Sequence, residues 1–277
     1  MEDRISENDV RRVVPPGMNF APPGQGAEAL VINTPTREAL LADIETRLGG
    51  GRGFAVATLN LDHVVKLRRS PAFHAAYAAH SHVVADGNPI VWFSRMAGQD
   101  VGLVPGSELI EPVAALAART GAPVGLFGST PETLDLAAAR LAARHPGLEV
   151  AARIAPPHGF DPAGPAADAC IAEMGQSAAR VWFLALGAPK QEIFAIRAWQ
   201  RLPQAGFLSI GAGLDFIAGH QKRAPGLVRS LKAEWLWRMG TDPVRLAPRY
   251  ARCVAVMPGL ARRAMHSRRT APAAREQ

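Results

Sequence analysis

Polar and glycine-rich segments follow five short apolar runs of this sequence, and they hold the residue types that acid–base chemistry and phosphate binding need. They read T-L-N at 58–60, D-G-N at 86–88, G-S-T at 128–130, G-A-P-K-Q-E at 187–192 and G-A-G-L-D at 211–215. If the apolar runs are parallel strands, these segments meet at one edge of a sheet, where open parallel sheets bind ligands. The sequence therefore predicts a pocket rimmed by carboxylates, amides and backbone N–H groups.

Asp86 is the carboxylate that best fits a general base. It follows the apolar run His82–Ala85 and precedes Gly87, so we expect it at a strand end, where a base can reach a bound hydroxyl. A second interpretation is equally open, because an aspartate at this place could cap a helix that starts near residue 88. By the same logic, Asn60 or Asp62 is expected to cap the helix that follows the first strand.

The sequence lacks the motifs of several other kinds of functional site. No G-x-G-x-x-G follows the first predicted strand and no G-x-x-x-x-G-K-[ST] occurs, which argues against dinucleotide and P-loop sites. The eight histidines are scattered without metal-ligand spacing. Ser129 and Ser209 lack the G-x-S-x-G context of a serine hydrolase. We therefore expect neither a metal nor an organic cofactor.

Alternating strands and helices must place these segments. Apolar runs predict strands at 54–58, 82–85, 123–127, 148–153, 181–186 and 207–210. Helical patterns lie at 36–48 and near 62–79, 88–97, 107–120, 131–145, 163–178 and 189–200. This alternation is typical of a mostly parallel sheet with helices on both faces. The predicted fold class is α/β and Rossmann-like, with a helical appendage at the C-terminal end.

Composition divides the chain into three parts. Residues 1–27 contain prolines and glycines without apolar periodicity, and we expect a flexible arm there. Residues 28–222 hold the strand–helix alternation and form the predicted core. Residues 223–277 form the predicted appendage, with helices at 223–240 and 243–257.

Charge is distributed unevenly along the chain. Residues 219–277 hold 13 of the 31 Lys and Arg but only 3 of the 24 Asp and Glu, a net charge of +10, which leaves −3 for residues 1–218. A basic segment on a mildly acidic body favours contact with an anionic surface, such as phosphate, nucleic acid or lipid headgroups. Some of these charges could instead only solvate the end of the chain.

The sequence also indicates a compartment. Its two cysteines, Cys170 and Cys253, cannot build a disulfide framework, which favours a reducing environment. No run approaches the roughly 18 apolar residues of a membrane span, and the first residues lack the order of a signal peptide. We expect a cytoplasmic protein that is not integral to a membrane.

Seven motifs occur in one order within residues 28–250. They are T-L-N at 58–60, D-G at 86–87, G-A-P-K-Q-E at 187–192, G-A-G-L-D-F at 211–216, R-A-P at 223–225, E-W-L-W-R at 234–238 and P-x-R at 243–245. Together they closely resemble the bacterial WecG/TagA/CpsF glycosyltransferases, glycosyltransferase family 26. The resemblance implies an inverting enzyme that moves a sugar from a UDP-sugar to a polyprenyl-diphosphate-linked saccharide. Its products would enter cell-envelope polysaccharides, capsules or exopolysaccharides.

The resemblance also implies roles for individual residues. The catalytic-base aspartate of the family falls on Asp86, and its substrate-binding threonine and asparagine fall on Thr58 and Asn60. Its further substrate-binding residues fall on Gln191, Asp215, Arg238 and Arg245. The two arginines would close over the diphosphate, which arginine binds bidentately. The appendage would contact the anionic inner face of the plasma membrane, making the protein peripheral there.

Two positions depart from the family pattern. Pro248 stands where a third appendage arginine is expected, although Arg249 follows it. Leu103 or Val104 replaces an arginine expected upstream of the helix at Ser107. The second change concerns an acceptor or phosphate contact, and it favours a substrate other than the N-acetylmannosamine of the best-known members.

Two other functions fit parts of the sequence. A non-enzymatic nucleotide- or nucleic-acid-binding protein would suit the basic segment. However, the chain has only two tyrosines and no aromatic residues interleaved with basic ones, so base stacking has little support and no nucleic acid partner is expected. A sugar-nucleotide epimerase or dehydrogenase is disfavoured by the missing dinucleotide pattern. The sequence leaves open whether the chain forms a homo-oligomer.

Overall fold

A computed structural model describes residues 17–23, 28–220 and 243–270, apart from the side chains of Pro243, Arg245 and Thr270. Six strands of the described chain form one sheet in the order β2-β1-β6-β5-β3-β4, and all neighbouring pairs are parallel. The strands are β1 (Phe54–Leu59), β2 (His82–Ala85), β3 (Val124–Gly128), β4 (Val150–Ile154), β5 (Val181–Ala185) and β6 (Gly206–Ser209). The predicted α/β class with a parallel sheet is confirmed.

Ten helices lie in the described ranges. They are α1 (Arg37–Gly49), α2 (Leu61–Leu67), α3 (Pro71–Ala78), α4 (Asn88–Met96), α5 (Gly106–Thr120), α6 (Pro131–Arg144), α7 (Pro165–Gln176), α8 (Lys190–Arg201), α9 (Gly213–Ala218) and α10 (Pro243–Thr270). The start of α1 is as predicted, because Thr36 Oγ1 accepts a hydrogen bond of 3.1 Å from the Ala39 N–H.

Two helical predictions differ from the structure, and one short helix, α9, was not predicted. The segment near 62–79 is two helices, because Ser70 caps a new helix and Pro71 has no N–H with which to continue the first. The six residues of α9 are too few to show a period in sequence. Helix α10 continues well beyond residue 257, because Leu260 and Ala264 keep its buried face against the core. The helix predicted at 223–240 lies outside the described residues.

The two faces of the sheet carry separate groups of helices. Val56 and Val84 point to the face covered by α1, α5, α6 and α9. Ala57 and Leu59 point to the opposite face, which α2, α3, α4, α7, α8 and α10 cover. The helix after β6 is therefore on one face, while the helices after β1 and β5 are on the other. Connections that diverge in this way leave a crevice at the carboxyl ends of the strands.

Residues 17–23 pack on the core, although they fall within the segment for which we predicted a flexible arm. Met18 and Phe20 are fully buried beside α10 residues. The Phe20 N–H donates to Leu30 O at 2.7 Å, and Arg263 of α10 donates to Ala21 O at 2.6 Å. These residues therefore join the appendage helix to the core.

Helix α10 docks on α2 and α4 through an apolar stripe. Cys253, Val256, Leu260 and Ala264 lie in the same buried cluster as the inner residues of those helices. The stripe explains why a strongly basic helix packs against the α/β core. Within the ranges 17–23, 28–220 and 243–270, no helix combines the length and the apolar character that crossing a membrane requires.

Candidate active site

Thr58, Asn60 and Asp86 lie together at the carboxyl ends of β1 and β2. Leu59 of β1 is opposite Ala85 of β2, so the residues that follow the two strands are neighbours. The Asp86 N–H donates to Leu59 O at 2.7 Å, which fixes the backbone of the aspartate. Thr58 Oγ1 and Asn60 Nδ2 donate to Asp86 Oδ2 at 3.4 and 3.5 Å. The structure thus brings together the three residues that the sequence analysis placed nearest the chemistry.

The capping interpretation of Asp86 is wrong. The N-cap of α4 is Gly87 and not Asp86, and glycine has no side chain with which to cap the helix. Gly87 has a φ of +107°, which glycine adopts without strain and other residues rarely adopt. This turn leaves the Asp86 side chain before the helix, so the carboxylate is placed by the strand end and not by a capping bond.

Asn60 is the residue that caps α2. Its Oδ1 accepts from the His63 N–H at 3.0 Å, which satisfies one of the open donors of the first turn. Capping uses the carbonyl side of the amide and turns the Nδ2 side toward Asp86. The alternative cap, Asp62, instead lies 2.8 Å from Lys66 Nζ and 3.1 Å from Arg249 Nε.

The start of α5 packs against Thr58. The Val104 N–H donates to Ala85 O at 2.7 Å, which holds the segment before α5 beside β2. A Cβ at Gly106 would lie 3.0 Å from Ser209 O and 3.1 Å from Thr58 Oγ1, so glycine permits this close approach. The N-cap residue of α5, Pro105, makes no side-chain capping bond. The first N–H groups of this helix therefore bring positive potential to this edge of the sheet.

Gln191 connects the loops after β5 and β6. Its Oε1 accepts from the N–H groups of Gly187 and Gly211 at 3.2 and 3.0 Å. Its Nε2 donates to Glu192 Oε1 at 2.9 Å. The side chain is only 3% exposed. In this structure Gln191 holds the two glycine loops in register, and its predicted contact with substrate stays a prediction.

Glu192 supports Gln191 from inside the protein. It is fully buried, and burial raises its pKa to about 7, although the hydrogen bond from Gln191 opposes the shift. Glu192 belongs to the G-A-P-K-Q-E motif, but no role for it was predicted from the sequence. Its acceptor oxygen orients the Gln191 amide, so that the opposite end of that amide faces the loops.

Asp215 lies in the first turn of α9 and binds a residue from a third loop. Ser129 Oγ, which follows β3, donates to Asp215 Oδ1 at 3.1 Å. Ser129 has a φ of +57°, a left-handed conformation that is uncommon outside glycine. The pair ties the loop after β3 to the loop after β6, so the predicted residue is on the rim, with a partner that sequence spacing did not reveal.

The side chains of the two predicted arginines, Arg238 and Arg245, are outside the described part of the structure. Arg238 lies outside the described residues, and for Arg245 only the backbone, within α10, is described. Their roles stay predictions. Among the residues that the structure describes, no group of three or more His, Cys, Asp or Glu could hold a metal ion.

A cationic cavity of about 290 Å³ opens between α2 and α10. Its described lining is Asp62, Val65, Lys66, Arg69, Leu246, Arg249 and Arg252. Four of these residues are basic and one is acidic. Lys66 Nζ also donates to Ala188 O at 3.0 Å, within the loop that precedes Gln191. The cavity therefore adjoins the rim, and it includes Lys66 of α2 and Arg69 just after that helix, two basic residues to which the sequence assigned no role.

Comparison with protein families agrees with this geometry. A model described as the glycosyl transferase WecG/TagA/CpsF family matches residues 29–271, nearly the whole chain. The matched range contains the strand-end residues Thr58, Asn60 and Asp86 and all the other predicted site residues. The chain belongs to the WecG/TagA/CpsF family of glycosyltransferases, with a role in cell-envelope polysaccharide synthesis.

Proposed function

We propose that this protein is an inverting glycosyltransferase that moves a hexose-type sugar from a UDP-sugar to a polyprenyl-diphosphate-linked saccharide, with Asp86 as the general base. The observation that carries the proposal is the Asp86 carboxylate at a strand end, with Thr58 and Asn60 donating to one oxygen. Family membership supplies the reaction class. The donor and acceptor are our extension of it.

The proposed reaction needs one base and one stabilised leaving group. An acceptor hydroxyl loses its proton to Asp86 as its oxygen forms a bond to the anomeric carbon of the donor sugar. The bond between that carbon and the diphosphate oxygen breaks, and UDP leaves from the opposite face with the electron pair. Attack from behind the leaving group inverts the anomeric centre. A positioned base typically contributes roughly 10²- to 10⁴-fold to such a step.

The departing diphosphate needs positive charge or N–H donors. The loop after β5, which Gln191 holds, leads into the N-terminus of α8, where backbone N–H groups can bind phosphate. Arg238 and Arg245 are our candidates for bidentate contacts, and replacing either with alanine is expected to lower kcat by roughly 10²-fold. This supply of charge is why we propose a metal-independent reaction.

We further propose that α10 and the neighbouring end of α2 face the anionic membrane surface where a lipid-linked acceptor resides. Lys66, Arg69, Arg249 and Arg252 surround one cavity with a single carboxylate, Asp62. Burial alone would raise the pKa of Asp62, but Lys66 and Arg249 outweigh burial and lower it. That carboxylate is therefore ionised at neutral pH, and the cavity still carries an excess of positive charge that phosphate groups would balance.

A donor screen tests the reaction. Purified full-length protein is incubated with single UDP-sugars and a polyprenyl-diphosphate-linked sugar, and released UDP is measured with and without EDTA. We expect one donor to give acceptor-dependent UDP release that EDTA leaves largely intact. Loss of activity in EDTA and its recovery with Mg²⁺ or Mn²⁺ would overturn the metal-independent part. If none of the UDP-sugars gives UDP release, the proposed substrate class is wrong.

Vesicle binding tests the membrane surface. The double variant Arg249→Gln/Arg252→Gln is compared with Arg119→Gln/Arg144→Gln, which removes the same charge from α5 and α6. We expect wild-type binding to phosphatidylglycerol vesicles to weaken as salt rises, and the first variant to bind several-fold more weakly than the second. Equal binding by the two variants would show that the cavity has no special part in membrane contact.

A further inference from the structure

A buried chain of hydrogen bonds lies behind Asn60. Tyr77 Oη is 3.2 Å from Thr58 O and 2.7 Å from His63 Nδ1. On the other side of the imidazole, His63 Nε2 is 3.4 Å from Asn60 Nδ2, the atom that also donates to Asp86. Tyr77 and His63 are 0% and 6% exposed. Neither residue belongs to a sequence motif quoted above.

Each proton in this chain can be assigned by what its neighbours accept. If Tyr77 donated to His63 Nδ1, the imidazole proton would be on Nε2 and would face the Asn60 Nδ2 donor. The single hydroxyl proton of Tyr77 is therefore directed to Thr58 O, a carbonyl oxygen that only accepts. His63 Nδ1 must then donate to Tyr77 Oη. A neutral imidazole with its proton on Nδ1 has a lone pair on Nε2, and that lone pair accepts from an Nδ2 proton of Asn60. The second Nδ2 proton is then directed to Asp86.

At physiological pH the His63 imidazole is neutral and has a proton on only one of its two nitrogens. Burial lowers the pKa of His63 to about 3, and Lys66 acts in the same direction. Asp62 opposes the shift and Arg249 adds to it. The assignment of donors and acceptors therefore applies across the range in which a cytoplasmic enzyme would work.

We propose that His63 and Tyr77 are positioning residues for Asp86, acting through the amide of Asn60. Tyr77 fixes which imidazole nitrogen carries the proton, and His63 then fixes which end of the Asn60 amide faces the base. The part of this inference that concerns turnover rests on the proposed function. The part that concerns the imidazole tautomer does not.

Reversing the tautomer has a definite consequence. Without the Tyr77 hydroxyl, His63 Nδ1 no longer has an acceptor and the proton can move to Nε2. Two donors, His63 Nε2–H and Asn60 Nδ2–H, would then face each other, so the amide must turn or move away. Either change alters the hydrogen bond to Asp86, and such misplacement of catalytic groups costs roughly 10- to 100-fold in rate.

Nitrogen NMR tests the tautomer directly. Long-range proton–nitrogen spectra of full-length protein with labelled histidine distinguish Nδ1–H from Nε2–H, and His63→Gln identifies which of the eight imidazoles is His63. We expect Nδ1–H in the wild type near pH 7 and a shift toward Nε2–H in Tyr77→Phe. A wild-type imidazole with Nε2–H would overturn the inference, whatever the enzyme does.

Kinetics test the positioning role. His63→Gln keeps an acceptor that can face Asn60, whereas His63→Leu removes it, and Phe73→Leu alters the ring packed edge-on against His63 without touching the chain of hydrogen bonds. With the UDP-sugar that gives the most UDP release in the donor screen, we expect kcat to fall about tenfold or more in His63→Leu and Tyr77→Phe. His63→Gln and Phe73→Leu should stay within about threefold, and KM for the donor should change little in all four.

These outcomes separate the inference from the proposed function. If His63→Gln loses as much kcat as His63→Leu, or Phe73→Leu as much as Tyr77→Phe, packing explains the losses and the positioning role is wrong. If instead Asp86→Asn keeps normal turnover while the tautomer is as assigned, the proposed base is wrong and the hydrogen-bond assignment stands.

Discussion

The two ends of strand β2 hold two aspartate clusters of opposite character. At the amino end of the strand, His82 Nε2 lies 2.7 Å from Asp43 Oδ2, and Arg47 Nε lies 2.7 Å from the same oxygen. After the strand ends, Asp86 accepts from Thr58 and Asn60 at 3.4 and 3.5 Å. The first cluster has short bonds and an ion pair, whereas Thr58 and Asn60, the donors described at Asp86, are neutral and make longer bonds.

This difference indicates separate tasks for the two carboxylates. Hydrogen bonding to His82, opposed by burial and assisted by Arg47, holds the pKa of Asp43 well below its usual range. Such a group stabilises the folded state. Bonds to catalytic groups, by contrast, are often long before substrate binds and shorten in the reacting complex. We therefore expect stability to depend on the amino end of β2 and turnover to depend on its carboxyl end.

The largest expected effect is on turnover, at the carboxyl end. Asp86→Asn should lower kcat by roughly 10²-fold or more, because the amide cannot accept the proton of the acceptor hydroxyl. The free energy of unfolding, measured in urea, should change by less than about 1 kcal/mol, since the asparagine keeps an oxygen that can accept these two long hydrogen bonds. Near-normal kcat in this variant would remove Asp86 from the mechanism.

The next largest effect is on stability, at the amino end. Asp43→Asn should lower the free energy of unfolding by about 2 kcal/mol, because it leaves the Arg47 guanidinium without its carboxylate in a place where both side chains are largely buried. At a temperature where the variant is folded, kcat should stay within about twofold of wild type. Urea unfolding and UDP release measure the two quantities. A tenfold fall in kcat would mean that the two ends of β2 are not independent.

Much of this comparison could be predicted from the sequence. Apolar runs marked the strands to within one or two residues, and parallel pairing then placed Thr58, Asn60 and Asp86 at one edge. Local signals sufficed because each residue lies at the carboxyl end of a strand or directly after it. The motifs identified the family before any geometry was considered.

The supporting contacts could not be predicted. Asp43 meets His82 across 39 residues of sequence, and His63 meets Tyr77 across a break between two helices that we predicted as one. Such pairs depend on how the helices pack on the sheet. Neither the composition nor the hydrophobic periodicity of the sequence determines that packing. The only local signal was a polar residue, such as His63, among apolar neighbours on a helix's buried face.

The stabilising contribution of Asp43 should depend on pH, because its pKa is lowered in the folded protein. In the unfolded chain this carboxyl takes up a proton near its usual pKa of about 3.9, whereas in the folded protein it does so only at lower pH. Its stabilising contribution is therefore present above about pH 4 and is lost as the pH falls below that value. The difference in unfolding free energy between wild type and Asp43→Asn should shrink between pH 5 and about pH 2. A difference that stays constant would contradict the ionic account of this cluster.

The smallest expected effect comes from a neutral neighbour of the same cluster. Ser81 Oγ accepts from the buried Ala55 N–H at 2.9 Å and lies 2.8 Å from His82 Nδ1. Ser81→Ala should lower the free energy of unfolding by about 1 kcal/mol, because a buried donor loses its acceptor. Thr36→Ala, which removes an exposed helix cap on α1, is the matched control and should cost a similar amount. Both variants should leave kcat unchanged, since four residues of strand separate Ser81 from Asp86. A selective loss of turnover in Ser81→Ala would show that the hydrogen bonds at the amino end of β2 reach the chemistry at its carboxyl end.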